Sequence, residues 1–253
     1  MTELGEHCDQ VCTELHAAWA IAKKDIIIYY LKPNIIVSGM LFPIFMFLAF
    51  AIGRPEVPAV MIPGLIAITI LFSASSIEPV SIPIERRMKT FDRLLSAPIS
   101  LHTVVLGESM SGFLYSLGIA FVPLIAGLIL FPTPIVGFAA LIAGLVLTSF
   151  CFATMGTLFA AYPTESPGDI MSMLNLVRLP LIFVSGVLIP LEQIPQIGQY
   201  IAYFSPLTYG NDLIQAAFAG DTHFNPAIDV VMLLLFILIF QFVANRLYKK
   251  YND

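Results

Sequence analysis

Residues 85–98 read ERRMKTFDRLLSAP, and this one stretch holds four of the twelve Lys and Arg residues of the chain. Arg86, Arg87, Lys89 and Arg93 stand there with Glu85 and Asp92 interleaved, between two long apolar runs. Ionised side chains are expelled from the hydrocarbon core of a bilayer. The apolar runs on either side must therefore be separate crossings, and the stretch between them must lie at the water interface, open to a soluble partner.

The rest of the chain agrees. Of its 253 residues, 58% are hydrophobic and 11% charged, and mean hydropathy is +0.89. Globular domains run at roughly 45–50% apolar and about 25% charged. The expected class is an all-α integral membrane protein. No polar block approaches the roughly 100 residues of an ordinary soluble domain. The net charge of −5 says less than the local clusters do. Met1 to Glu14 is acidic and polar and does not read as a secretory signal. Cys8, Cys12 and Cys151 give no disulfide framework.

A helix of about 20 apolar residues crosses the hydrocarbon core. Six are expected, over 35–53, 58–82, 103–131, 135–162, 170–190 and 227–247. Polar or proline-containing breaks separate them, at Gly53–Glu56, Phe131–Pro134 and Tyr162–Gly168. Short loops on the cytoplasmic side are rich in Lys and Arg. Lys23, Lys24 and Lys32 precede span 1, the 85–98 cluster follows span 2, and Arg246, Lys249 and Lys250 follow span 6. An even number of spans places all three clusters on the cytoplasmic side, with both termini. On the other side Arg54 is the one basic residue, and 191–226 carries Glu192, Asp212 and Asp221.

Two segments flank this pattern. Residues 13–31 suit an interfacial helix, with Trp19, Tyr29 and Tyr30 at headgroup level; they serve as an anchor or in coupling. The organisation is thus a cytoplasmic N-terminus with interfacial helix over 1–34 and a six-span unit over 35–253. Before the last span, Pro195, Gly198, Pro206 and Gly210 interrupt an apolar stretch. It reads as outer-face helices at about 191–212, or as a re-entrant hairpin shielded by protein. No internal repeat supports an inverted-repeat carrier.

There is no G-x-x-x-x-G-K-[ST], no G-x-G-x-x-G opening a helix after a strand, no H-E-x-x-H and no G-x-S-x-G. Energy for uphill transport would come from another subunit or from an ion gradient. Glu78, near the end of span 2, and Arg178, within span 5, are ionisable groups at membrane depth. Such groups face a bundle interior and pair, so a Glu78–Arg178 pair is expected, within the chain or across a dimer. It reads as a structural clamp before a substrate contact. Glu78 is taken as the one acidic residue well inside a span, which argues against a proton or sodium relay. Ser73, Ser75 and Ser76 on span 2, with Asn175, Phe183 and Ser185 on span 5, are candidates for lining a path or for close helix packing. Phe42, Phe45 and Phe47 read as lipid or packing contacts. Cys8, Cys12 and His16 fall at i, i+4 and i+8 beside His7, but the spacing is not a zinc pattern, and no metal site is assigned. No nucleic-acid partner is expected.

Two patterns in order carry a family resemblance. Glu85-Arg86-Arg87-Met88-Lys89-Thr90-Phe91-Asp92-Arg93-Leu94-Leu95, then Pro98, is similar to E-R-x-x-G-T-x-E-x-L-x-x-x-P. Phe183-x-Ser185-Gly186-x-x-x-Pro190 is followed by Ile194-Pro195, Ser205-Pro206-Leu207-Thr208-Tyr209 and Asp212. On this topology the chain resembles the membrane subunit of type-2 ABC exporters, most of all the daunorubicin-resistance and polysaccharide-export branches. Lys89 stands where the family has glycine, which leaves the turn before Thr90 open, and Asp92 replaces a Glu while keeping its charge.

The resemblance implies a permease, not an enzyme. Two copies of the chain would face each other, each resting on a cytoplasmic ATPase that holds the ATP and magnesium; this chain would bind no cofactor. Segment 85–98 would be the coupling helix, with Glu85, Arg86, Arg87, Thr90, Asp92, Arg93 and Pro98 as coupling residues. The cargo would be an amphipathic drug-like compound, a lipid or a lipid-linked glycan, moved outward between spans 2 and 5. The alternative is an ATPase-independent channel or ion-coupled carrier.

Overall fold

Apolar runs with backbone hydrogen bonds satisfied internally can only be helices in a lipid setting, and the regular elements of the computed structural model are all helices among the residues it describes: 2–30, 41, 45, 61–130, 134–189, 191–219 and 222–252. Helix α1 covers Thr2–Asp25 and runs into a π-helical turn, Ile26–Tyr30; α2 is Met61–Ala74, α3 Glu78–Arg87, α4 Thr90–Leu95 and α5 Leu101–Leu130. Then come α6 (Phe138–Ala160), α7 (Pro167–Val184), a 3₁₀ turn at Leu191–Gln193, α8 (Gln196–Ala202), α9 (Pro206–Ala219) and α10 (Pro226–Asn252).

Five stretches are long and apolar enough to cross a membrane: Ile62–Arg87, Leu101–Ile129, Phe138–Ala160, Pro167–Val184 and Pro226–Tyr251. They coincide with the second to sixth expected spans. The span expected over 35–53 lies outside the described residues except for Leu41 and Phe45, both helical and exposed. Phe42, Phe47, Lys32, Arg54, Pro190 and Asp221 also lie outside them, as do the side chains of His7 and Cys8.

Helix α6 is the hub, packed against α10, α5, α9, α2 and α3. The main core joins Ile66, Ile70 and Leu71 of α2 to Phe152 and Met155 of α6 and Ile214 of α9. A second core gathers Ile21, Ile82, Phe91, Val105, Ala160 and Tyr248 at the end where the 85–98 segment lies. Helix α1 lies along α5; Ala18, Ile21, Ala22 and Asp25 are buried while Leu15 and Trp19 stay exposed. Helix α7 is held by one narrow stripe, Ile170, Leu174, Arg178 and Ile182. The interrupted stretch before the last span forms α8 and α9, and α9 packs on α6, α10 and α2.

Candidate functional site

The second span breaks between Ala74 and Glu78. Serine hydroxyls fold back on the preceding turn there: Ser75 Oγ donates to the Leu71 carbonyl, and Ser76 Oγ to that of Phe72 at 2.5 Å. Pro79 and Pro83 follow in α3, removing two more backbone donors. Into this break comes Arg178 from α7. Its Nε donates to Ser75 Oγ at 2.9 Å, its Nη2 to Ser76 Oγ at 3.0 Å, and its guanidinium carbon lies 5.3 Å from the Phe72 ring centroid. Arg178 is fully buried.

Glu78, also fully buried, begins α3 at the same break. Its carboxylate is wedged between Gly112 of α5 and Gly156 of α6; a Cβ built on Gly156 would lie 2.6 Å from Oε2. The expected pair is thus brought to one locus, but not as a direct salt bridge. Among the described residues, the ion pairs are those of Lys24 with Asp25 and Glu85. The serine hydroxyls at the helix break, closer to Arg178 than the carboxylate is, take its hydrogen bonds instead.

The expected path residues divide. Ser73 is buried and donates to Thr69 O at 2.6 Å; Ser185 is buried and donates to Ile182 O at 3.3 Å. Ser76 serves Arg178. Asn175 and Phe183 point out of the chain.

The 85–98 segment divides as well. Glu85 is 3% exposed and accepts from Lys24 Nζ at 2.6 Å. Arg86 is turned inward: it donates to the carbonyls of Ala161 and Tyr162 at the end of α6 and lies 5.4 and 5.9 Å from the ring centroids of Phe91 and Tyr248. Phe91 is 1% exposed and pins α4 to the body. Arg87, Met88, Lys89, Thr90, Asp92, Arg93 and Pro98 are left facing outward. Glu85 and Arg86 thus make contacts that hold the segment from within the chain.

The turn left open by the missing glycine is made all the same. Lys89 adopts φ 58°, ψ 21°, a left-handed conformation that costs a non-glycine residue about 1–2 kcal/mol. Thr90 Oγ1 donates to Glu85 O at 3.2 Å, satisfying a carbonyl left over at the end of α3. Lys89→Gly is expected to stabilise the chain by about 0.5–1 kcal/mol, strain relief outweighing the added freedom of glycine in the unfolded chain. Thermal unfolding of the detergent-solubilised protein checks it; a lower Tm would refute the strain.

Beyond the segment, Glu14 of α1 caps the start of α5. It accepts from Ser100 N at 3.2 Å, from Ser100 Oγ at 2.9 Å and from Thr103 Oγ1. Two acids missed in the sequence also surface here. Asp25 and Glu108 are 0% and 1% exposed, and Glu108 stands about two turns inside α5, so Glu78 is not alone at membrane depth. The one Asp, Glu, Lys or Arg among the thirty residues of α5 was a legible signal. Among the described residues no three His, Cys, Asp or Glu side chains converge as a metal site.

A family model described as ABC-2 type transporter matches residues 16–219. The chain belongs to that family. Similar proteins include nodulation protein J of Rhizobium leguminosarum bv. trifolii, 26% identical over 214 residues, covering 79% of this chain and 76% of that protein. The bv. viciae protein of the same name is 25% identical over 171 residues, 64% of this chain and 62% of the relative, so the chain spans less than two thirds of that relative's length. The inner membrane transport permease YadH of Escherichia coli K12 is 23% identical over 190 residues, 75% of this chain and 74% of YadH. As an ABC-2 family member the chain is a membrane protein, and YadH is by name an inner membrane transport permease.

Proposed function

We propose that the chain is the permease subunit of an ATP-driven exporter, docking on a separate ATPase through the outward face of the 85–98 segment. The carrying observation is the division of that segment: Phe91, Glu85 and Arg86 are committed inward, while Arg87, Met88, Lys89, Asp92 and Arg93 stand exposed on a rigid helical turn. Charged groups on such a face make charge-assisted hydrogen bonds to carboxylates, and Met88, 62% exposed, supplies an apolar knob. On this reading both termini are cytoplasmic and α1 lies in the membrane interface with Leu15 and Trp19 toward lipid.

A second copy is expected against α7. The outer face of α10 is uniformly apolar, with Val231, Leu234, Leu235, Leu238, Ile239 and Phe242 exposed, as lipid requires. The outer face of α7 instead carries Ser172 and Asn175 beside Leu179 and Phe183. Polar groups at membrane depth face protein or a watery cavity, so this face suits a homodimer seam and a route for an amphipathic cargo. The runner-up, an ion-coupled carrier working without an ATPase, draws support from the buried acids Asp25 and Glu108.

The test is co-purification of tagged protein with an ATPase from native membranes, comparing wild type, an Arg87→Glu, Arg93→Glu variant and an Arg246→Glu control. Wild type and control are expected to retain the ATPase, and the double variant to lose at least about tenfold in affinity, or ~1.4 kcal/mol. An unchanged yield from the double variant would sink the docking face. No ATPase with any of the three, and transport persisting without nucleotide, would select the ion-coupled carrier.

A further inference from the structure

Segment 85–98 does not fix its own direction. Helix α4 has six residues and stands between two joints that are not helical, at 88–89 and 96–100. An isolated helix shorter than about 12–15 residues is marginal in water, so the aim of α4 is set by what grips it. Phe91, buried, grips the middle. The two ends are both gripped by α1.

At the first end, Lys24 Nζ donates to Glu85 Oε1 at 2.6 Å. At the other, two residues past Pro98, Glu14 accepts from Ser100 N at 3.2 Å, from Ser100 Oγ at 2.9 Å and from Thr103 Oγ1. Both ties are charge-assisted, the stronger class of hydrogen bond, and the Glu14 carboxylate also faces the positive end of the α5 dipole. Glu14 and Lys24 belong to one unbroken helix, Thr2–Asp25, and stand about 15 Å apart along it at ~1.5 Å per residue. Between them α1 is seated on α5. Ala18, Ile21 and Ala22 are buried, and a Cβ built on Gly107 would lie 3.0 Å from Ala18 O and from Ile21 Cβ. Helix α1 therefore cannot slide along α5 without losing this close fit, and the ends it holds are held at a fixed spacing.

We propose that α1 is a brace laid across both ends of segment 85–98, with Glu14 and Lys24 as positioning residues that aim the outward face of the segment at the ATPase. Resting on the permease reading, this gives the interfacial helix a part in coupling. An anchor alone gives no reason for polar ties from one helix to both ends of one segment. Neither residue touches the partner: Lys24 is committed to Glu85 and Asp25, and Glu14 to Ser100 and Thr103.

Hydrogen–deuterium exchange of the full chain in lipid nanodiscs reads the grip on the segment without an ATPase; retention of the ATPase from native membranes, per folded chain, reads its use. Loss of a charge-assisted tie corresponds to about tenfold in an equilibrium. Glu14→Ala is expected to raise amide exchange over 96–103 by about that factor, and Lys24→Met over 85–90. Together they should weaken ATPase retention at least about tenfold with Arg87 and Arg93 intact. Glu14→Gln, whose amide oxygen still accepts from Ser100, should fall between wild type and Glu14→Ala. His16→Ala, at an exposed position of the same helix, should change neither readout. Should Lys24→Met fail to fold, Glu14→Ala decides alone. Unchanged exchange in Glu14→Ala overturns the brace. Raised exchange with wild-type retention overturns the positioning role and leaves the permease reading standing. No ATPase with wild type removes the permease reading, and the positioning role with it.

Discussion

Arg178→Met is expected to destabilise the chain by about 3–5 kcal/mol, the range for removing one member of a buried charged network. Three losses combine: the hydrogen bonds to Ser75 at 2.9 Å and Ser76 at 3.0 Å, and the contact with the Phe72 ring. The larger part is what stays behind. Glu78 is fully buried and would be left without the cation that shares this locus with it among the described residues. For a chain this size 1 kcal/mol corresponds to roughly 2–4 °C, so Tm in detergent should fall by about 6–20 °C. The cause can be separated by a double-mutant cycle. If the stranded carboxylate dominates, Glu78→Gln in the Arg178→Met background should restore a large share of the loss. If the serine bonds dominate, it restores none, and Arg178→Lys, which keeps the charge but not the fork, should be nearly as damaging as Arg178→Met.

That network marks the limit of what the sequence carried. The second to sixth spans were legible because bilayer thickness fixes how long an apolar run must be, and the proline-containing breaks fixed where each stopped. Glu78 and Arg178 were legible because ionisable groups at membrane depth must be accounted for. Their partners were not, because the serines that receive Arg178 are defined by a helix break visible only in three dimensions. The inward contact of Glu85 was overlooked for another reason. A motif gives position along the chain, whereas contact depends on the face of the helix. Glu78, Ser81, Ile82 and Glu85 are spaced i, i+3, i+4 and i+7 and are all buried, so helical periodicity alone would have turned Glu85 inward. Arg86 needed the tertiary structure, since the carbonyls it meets lie 75 and 76 residues away. Asp25 was hidden similarly, being an ordinary polar residue at a helix end until α5 lies across it.

Gly156→Ala should also destabilise the chain, though less, and for the opposite reason: a group added rather than removed. An added Cβ would lie 2.6 Å from Glu78 Oε2, 3.0 Å from Ser75 Cα and 3.1 Å from Ser75 O. Two of these three are backbone, so no rotamer change relieves them, and α6 must move away from the break between α2 and α3. Gly112→Ala meets the same carboxylate from α5, together with Ala74 O at 2.9 Å. Overpacking of this kind costs about 1–3 kcal/mol, against which alanine's better helix propensity returns up to about 1 kcal/mol. Gly118, in the same helix as Gly112, has nothing within 4 Å of its built Cβ. There the propensity term acts alone, and Gly118→Ala should raise Tm. Opposite signs at Gly156 and Gly118 would establish that the helices close on Glu78 because two glycines let them. A Gly156→Ala protein as stable as Gly118→Ala would mean that α3 and Glu78 shift without penalty, and that the carboxylate is not locked at the break.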